Sequence, residues 1–334
     1  VSPVDTMNPV FSAARIAQIL TPPGQQPITP TDEQRAVIEH PLEGSTLVIA
    51  GAGSGKTETM ANRVVWLIAN GIVDPEQILG LTFTRKAAGE LRERIVRSLT
   101  GFSASLENLA ELGELSDAER TRADALRTVL ADGLDLPEVS TYNSFAAGVL
   151  QEFGVAAGLA PGAVVIDEAM AWRVARETLY SCKDPDLVTS DLSASTLIRH
   201  MIEMDRMVAD HLTSFDRVDQ VVEEFRGVLR LPYNEKEKPD APSGKVYAPV
   251  RDAVQALAET PLITRLARLY SAEKQRRGLI DFSDQLSLAT QTLSAAPESR
   301  RVLRSRYRAV LLDEVQDTSV GQTRLLSSIF GGCL

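Results

Sequence analysis

The run Ala50-Gly51-Ala52-Gly53-Ser54-Gly55-Lys56-Thr57 has the residue types and spacing of a phosphate-binding loop. Gly51, Gly53 and Gly55 carry no Cβ, so backbone N–H groups can close around a polyphosphate. Lys56 is placed to reach the terminal phosphates, and Thr57 to ligate Mg²⁺. The usual pattern opens with Gly, and Ala50 stands there instead. A plain Gly/Ser linker would account for the glycines but not for Gly-Lys-Thr at the exit.

Hydrolysis of a bound nucleotide also needs a carboxylate for Mg²⁺ and a group to orient water. Two apolar runs end in Asp-Glu: Val164-Val165-Ile166-Asp167-Glu168 and Val310-Leu311-Leu312-Asp313-Glu314. The first leads straight into a helical segment, where Asp167 and Glu168 serve equally as first-turn acids. The second has a longer strand and continues into Gln316-Asp317-Thr318, and is favoured. Asp313 then holds Mg²⁺, Glu314 polarises the attacking water, and Gln316 completes the catalytic set with Lys56. Gln34 lies shortly before the loop, and its amide can donate and accept at once, as an adenine edge requires.

These groups need a scaffold. Leu47-Val48-Ile49 entering the loop and the amphipathic segment leaving it predict strand, loop and helix, with the helix N-terminus facing the anion. Thr31-Asp32-Glu33-Gln34 predicts a capped helix start. Residues 78–83 read as a buried strand breaking into a helix over 84–95, and residues 137–142 as a short strand before a helix from Asn143. Alternating strands and helices imply a parallel sheet with right-handed crossovers, and ligands then sit at the carboxyl ends of strands. Residues 101–137 are acidic and helical in pattern, a surface insertion with Ser116 and Glu119 as a capping box. From about 155 to 275 strand signals nearly vanish; helices are expected over 170–181, 194–208, 217–230 and 248–277, with a loop over 231–247. Residues 278–284 return the chain towards the sheet.

Bulk properties narrow the classes. A net charge of −10 over 334 residues argues against a wholly basic nucleic-acid coat but leaves room for a local cationic groove, for which Arg85 and Lys86 are available. Two cysteines fit a reducing cytoplasm rather than a disulfide framework, and three histidines form no ligand cluster. No apolar run is long enough to span a membrane, and the first 18 residues lack the pattern of a signal peptide.

Six stretches, residues 31–38, 50–57, 82–88, 141–145, 280–284 and 312–318, resemble in order the motifs of UvrD/Rep/PcrA-type superfamily 1A DNA helicases. The resemblance implies an α/β RecA-like P-loop domain with a parallel sheet (1A) carrying an all-helical insertion (1B). It divides the chain into an extension over 1–30, the first part of 1A over 31–154, 1B over 155–277 and the remainder of 1A over 278–334. It implies ATP-driven 3′-to-5′ movement on single-stranded or duplex-end DNA, with ATP and Mg²⁺ as cofactors, in DNA repair or double-strand-break end processing in a bacterial cytoplasm. Gln34 and residues 50–58 would bind ATP, while Phe83, Thr84, Arg85, Lys86, Thr141, Tyr142 and Asn143 would line the DNA track. Glu58 stands where the UvrD branch carries Arg beside the adenine, and Asn143 where it carries His. These departures resemble the RecB/AddA side, and Gly55-Lys56-Thr57-Glu58-Thr59-Met60 resembles the AdnA/AdnB helicase–nuclease subunits most. The family continues into a second RecA-like half carrying the arginines for the γ-phosphate, so the chain is expected to be an N-terminal motor half, nearly inactive alone, with that half and a second helicase–nuclease subunit as partners. The alternatives are a non-catalytic scaffold motor and a small-molecule P-loop kinase; the second leaves residues 141–145 and 316–318 unexplained.

Overall fold

A computed structural model describes residues 9–331 apart from residues 23, 52, 132–135, 158–162 and 232–244. Ala52 of the phosphate-binding loop and most of the loop expected over 231–247 lie outside the described residues. The chain packs as two compact units: Val1–Phe145 with Pro297–Thr318 and Leu326–Leu334, and Ala146–Ala296 with Ser319–Leu325.

The first unit is built on a parallel sheet of β1 (Ile78–Thr82), β2 (Glu138–Thr141) and β5 (Ala309–Leu312), in the order β2-β1-β5. Leu79 of β1 stands opposite Glu138 on one side and Val310 on the other. Every residue of β1 is buried, which its unbroken apolar run predicts for a parallel strand covered on both faces. Helices α1 (Ala13–Leu20), α2 (Asp32–Ile38), α3 (Lys56–Ala69), α4 (Arg85–Leu112), α5 (Asp117–Ala131) and α13 (Pro297–Arg306) complete the unit.

Two expectations are corrected here. Residues 101–131 are not a surface insertion. α4 is one helix of 28 residues whose Leu91, Ile95, Leu99, Phe102 and Leu106 form a continuous buried stripe. The Phe102 ring meets Phe11 edge-on at 5.3 Å, and α5 adds the buried Leu126. The acidic residues that suggested a surface lie on the outer faces of helices whose inner faces are core. The second correction concerns Leu47-Val48-Ile49, which is not a strand: Leu47 and Ile49 are 73% and 88% exposed. Among the described residues no neighbouring strand ladders with this segment, and without a ladder an apolar run has nothing to hold it in a sheet.

The second unit is nearly all helix. Its strands are the two-residue pair β3 (Val164–Val165) and β4 (Leu279–Ile280), which run parallel to each other and form a separate sheet. Residues 278–280 therefore pair with β3 and not with the larger sheet. α6 (Tyr142–Phe153) leads in from the first unit. α7 (Glu168–Ser181), α8 (Ala194–Asp210), α9 (Phe215–Arg226), α10 (Ala248–Ala256), α11 (Thr260–Arg276) and α12 (Phe282–Ala295) follow; of the last helix, α14 (Val320–Phe330), residues up to Leu325 group with this unit and those from Leu326 with the first. The apolar faces of α7, α8 and α11 interlock through Val174, Ala175, Ile198, Met201, Leu266 and Tyr270. The single helix expected over 248–277 is two helices. Pro261 has no N–H to give a continuing ladder and suits a helix start, so α11 begins afresh at Thr260.

Inside this unit Lys274 is 1% exposed and its ammonium lies 2.5 Å from Asp205 Oδ2, 2.7 Å from Asp284 Oδ2 and 3.2 Å from Asp281 Oδ2. Asp281 also accepts from the Asp284 N–H to cap α12, and Asp284 returns the bond to the Asp281 N–H. No helix among the described residues is long and apolar enough to cross a membrane.

Candidate functional site

The glycine loop ends on the first turn of α3. Gly53 and Gly55 have φ of 76° and 81°, a left-handed backbone that side-chain-bearing residues rarely adopt. A Cβ built on Gly51 or Gly53 would meet nothing within 4 Å, so the loop presents open backbone. No side chain caps the start of α3, which leaves its first-turn N–H groups for an external acceptor. Lys56 Nζ donates to the carbonyls of Ala50 and Gly51 at 3.0 and 3.1 Å, and Ser54 Oγ to Gly51 O at 2.8 Å. Thr57 is half-buried on the same turn. An open, uncapped, glycine-lined helix start with a lysine folded over it fits a polyphosphate. Ala52 lies outside the described residues.

Gln34 is tied at both ends of its amide. Its Oε1 accepts from the Thr31 N–H at 3.0 Å, completing a capping box on α2, and its Nε2 donates to Ser54 O at 3.3 Å. The amide still holds one N–H and one lone pair for a base edge. Glu58, on the first turn of α3, is ion-paired with Arg94 of α4.

Asp313 follows β5 directly, and its N–H donates to Leu81 O at 2.9 Å, so the acid sits at the carboxyl end of the sheet. Burial pushes its carboxyl above the usual range, the Glu314 charge adds to this, and the Glu314 N–H and the Lys56 ammonium pull it back. A carboxylate held up by burial gains most from a cation beside it. Glu314 has φ of 51°, a strained conformation for a residue with a side chain. Its carboxylate accepts from the amide of Gln316, which also reaches Asp317 Oδ2 at 3.4 Å. By contrast Asp167, from the other acidic run, caps α7 by accepting from the Met170 N–H at 2.8 Å.

The expected DNA-facing residues differ in exposure, Phe83 to Lys86 being exposed, Thr141 and Asn143 half-buried and Tyr142 buried. Phe83 is 44% exposed. Arg85 and Lys86 open α4 in solvent, Lys86 lying 3.7 Å from Glu90. Thr84 caps α4 by accepting from the Ala87 N–H at 3.1 Å, and Thr141 Oγ1 accepts from the Ser144 N–H at 3.1 Å. Tyr142, expected to line the track, is 2% exposed and cannot present its ring to a base. It lies beneath Phe83, edge-on at 6.0 Å, because the apolar underside of the site draws it in. Its hydroxyl donates to Asp313 O at 3.3 Å, and burial, with the Asp313 charge second, pushes its pKa up to about 12. Asn143 is half-buried, and its Oδ1 has no hydrogen-bond partner. Phe145 is core, packed edge-on against Tyr307 at 6.1 Å.

Sequence reasoning missed Arg94 and the bond from Tyr142 to Asp313. These partners lie 36 and 171 residues apart, and no local pattern connects them.

A glycine loop closing on a helix start, with an acid at the end of a parallel strand in the same unit, is the form of a P-loop nucleotide-binding domain. The UvrD/REP helicase N-terminal domain matches residues 30–333, and the chain belongs to that family. It is 27% identical over 285 residues to the ATP-dependent DNA helicase PcrA of Leuconostoc citreum, covering 85% of this chain and 29% of that protein. It is 31% identical over 303 residues to the RecBCD enzyme subunit RecB of Mycobacterium tuberculosis, covering 87% and 25%. The ATP-dependent DNA helicase UvrD2 of Mycobacterium tuberculosis is 26% identical over 304 residues, covering 90% and 34%. The chain thus spans 25 to 34% of the length of these three curated relatives.

Proposed function

We propose that this chain is the ATP-binding half of a motor that hydrolyses ATP to move 3′ to 5′ along single-stranded DNA, in repair or break-end processing in the bacterial cytoplasm. The observation that carries the reading is that one unit holds the open loop with Lys56, the acids Asp313 and Glu314 at a strand end, and an exposed Phe83 one residue beyond the neighbouring strand. The names of the PcrA and UvrD2 relatives support it. The RecB likeness supports a place in a multi-subunit helicase–nuclease.

In this reading residues 31–154 and 278–334 are domain 1A, and residues 155–277 are 1B. The loop backbone and Lys56 bind the phosphates, and Gln34 holds the adenine edge. Thr57 and Asp313 would ligate Mg²⁺, which supplies positive charge to the oxygens that become more negative as the γ-phosphoryl group leaves. Glu314, held by Gln316, orients the attacking water. Phe83 stacks on a base, while Thr84, Arg85, Lys86, Thr141 and Asn143 face the strand and its phosphates.

By the family resemblance, arginines of a second RecA-like half complete the charge around the γ-phosphate; in other nucleotide hydrolases a supplied arginine is worth roughly 10³–10⁵ in rate. A polypeptide of residues 1–334 is therefore expected to turn over ATP slowly, and a longer one including that half to show DNA-stimulated turnover. Glu314→Gln in the longer chain should remove turnover while ATP stays bound. Full turnover by residues 1–334 alone, or an unchanged rate in Glu314→Gln, would refute the proposal.

A further inference from the structure

We infer that Asn70 and the strap of residues 10–20 position the phosphate-binding helix α3, so that nucleotide affinity depends on a segment lying ahead of the family match at residues 30–333. This rests on the phosphate site proposed above and adds to it a positioning residue at the opposite end of α3. Asn70 is the C-cap of α3 and is 4% exposed. Its Oδ1 accepts from the Phe11 N–H at 2.8 Å, and its Nδ2 donates to the Phe11 carbonyl at 2.9 Å and to Trp66 O at 2.9 Å. One amide thus holds both main-chain groups of a strap residue and the last turn of α3. Phe11 is fully buried, and Ala13, Ile16 and Ile19 of α1 are buried beside it.

The strap also reaches the far end of α2 and the helix that braces α3. The Ala13 N–H donates to Glu39 Oε1 at 2.7 Å, at the end of α2. Arg15 Nε pairs with Glu119 Oε1 of α5 at 2.8 Å. Arg122, one turn further along α5, donates to Ala69 O and Ile68 O of α3 at 2.7 and 2.8 Å. The near ends of α2 and α3 meet where Gln34 Nε2 donates to Ser54 O. α3 has 14 residues, a rod of about 21 Å, so a tilt of about 5° around its middle moves its first turn by roughly 1 Å. Misplacement on that scale weakens contacts to a bound group. The bonds at both ends of the Asn70 amide oppose that tilt.

The test measures Mg²⁺·ATP affinity by calorimetry on residues 1–334, at a temperature where circular dichroism shows every variant folded. Asn70→Ala should lower the affinity about three- to tenfold. Leu303 is buried in the same unit but outside the core cluster around the strap. Leu303→Ala should cost at least as much stability in urea and bind ATP as wild type does. Linkage adds a measurement on the unmutated chain: a strap that strengthens ATP binding is itself strengthened by bound ATP, by the same factor. Exchange of the Phe11 and Ala13 amide hydrogens should therefore slow about three- to tenfold when Mg²⁺·ATP saturates the site. Unchanged affinity in Asn70→Ala, an equal loss in Leu303→Ala, or exchange at Phe11 that ignores ATP overturns the inference. If wild type binds no ATP, or Lys56→Ala binds it like wild type, the phosphate site itself fails and the inference falls with it.

Discussion

The phenolic hydroxyl of Tyr142 donates to the main-chain carbonyl of Asp313 at 3.3 Å, while its ring supports the exposed ring of Phe83. One buried side chain thus touches both the surface expected to meet DNA and the strand end expected to hold the metal. Tyr142→Phe removes the hydrogen bond and keeps the ring, and should cost about 0.5–1.5 kcal/mol of stability. Tyr142→Ala removes both, and should cost about 3–5 kcal/mol. Urea unfolding measures the two; an equal cost for both variants would show that the ring contributes nothing.

Phe83 is the aromatic group on this surface free to meet a base, and Arg85 and Lys86 follow it in solvent. Phe83→Ala should weaken binding of an oligo-dT strand by about 1–3 kcal/mol. Arg85→Ala should flatten the fall of affinity with rising salt, because each phosphate contact releases counterions. Fluorescence anisotropy across a salt series reads both. Binding that ignores salt, or an unaltered Phe83→Ala, would place the DNA elsewhere.

Among the described residues Lys274 is the single ammonium facing these three buried or part-buried carboxylates, with the Tyr270 ring centroid 5.1 Å away and Arg206 3.7 Å from Asp281. Lys274→Met leaves those acids without their shared cation and should cost about 3–5 kcal/mol. Arg206 is too peripheral to replace it. A loss under 1 kcal/mol in urea unfolding, roughly what an exposed pair contributes, would contradict the burial of this cluster.

The same cluster sets a pH dependence. Burial, opposed by Lys274 and helped by Asp284 and Asp281, pushes the Asp205 carboxyl from 3.8 up to about 6. Between these values the unfolded chain has released a proton that the folded chain keeps, so rising pH lowers stability over that window. The Asp284 carboxyl is raised too and acts in the same sense, while the raised pKa of Lys274 leaves its charge constant there. Wild type should therefore lose stability relative to Asp205→Asn from pH 4 to 6, and the difference should level off above that. A flat difference across pH 4 to 6 would mean Asp205 titrates normally.

What could be read from the sequence was what neighbours in the chain decide. The glycine loop with Lys56, the helix caps at Thr31 and Ser116, and the acid after an apolar strand at Asp313 each depend on a few consecutive residues. Backbone conformation and helix capping act over one turn, so their residue patterns show in order along the chain. Tertiary structure alone decided that residues 101–131 are core, that Leu47-Val48-Ile49 stays out of the sheet, that Arg94 meets Glu58, and that one lysine gathers Asp205, Asp281 and Asp284. Burial and ion pairing depend on which surfaces come together across tens to hundreds of residues. A composition of acids and leucines does not say which face of its helix turns inward.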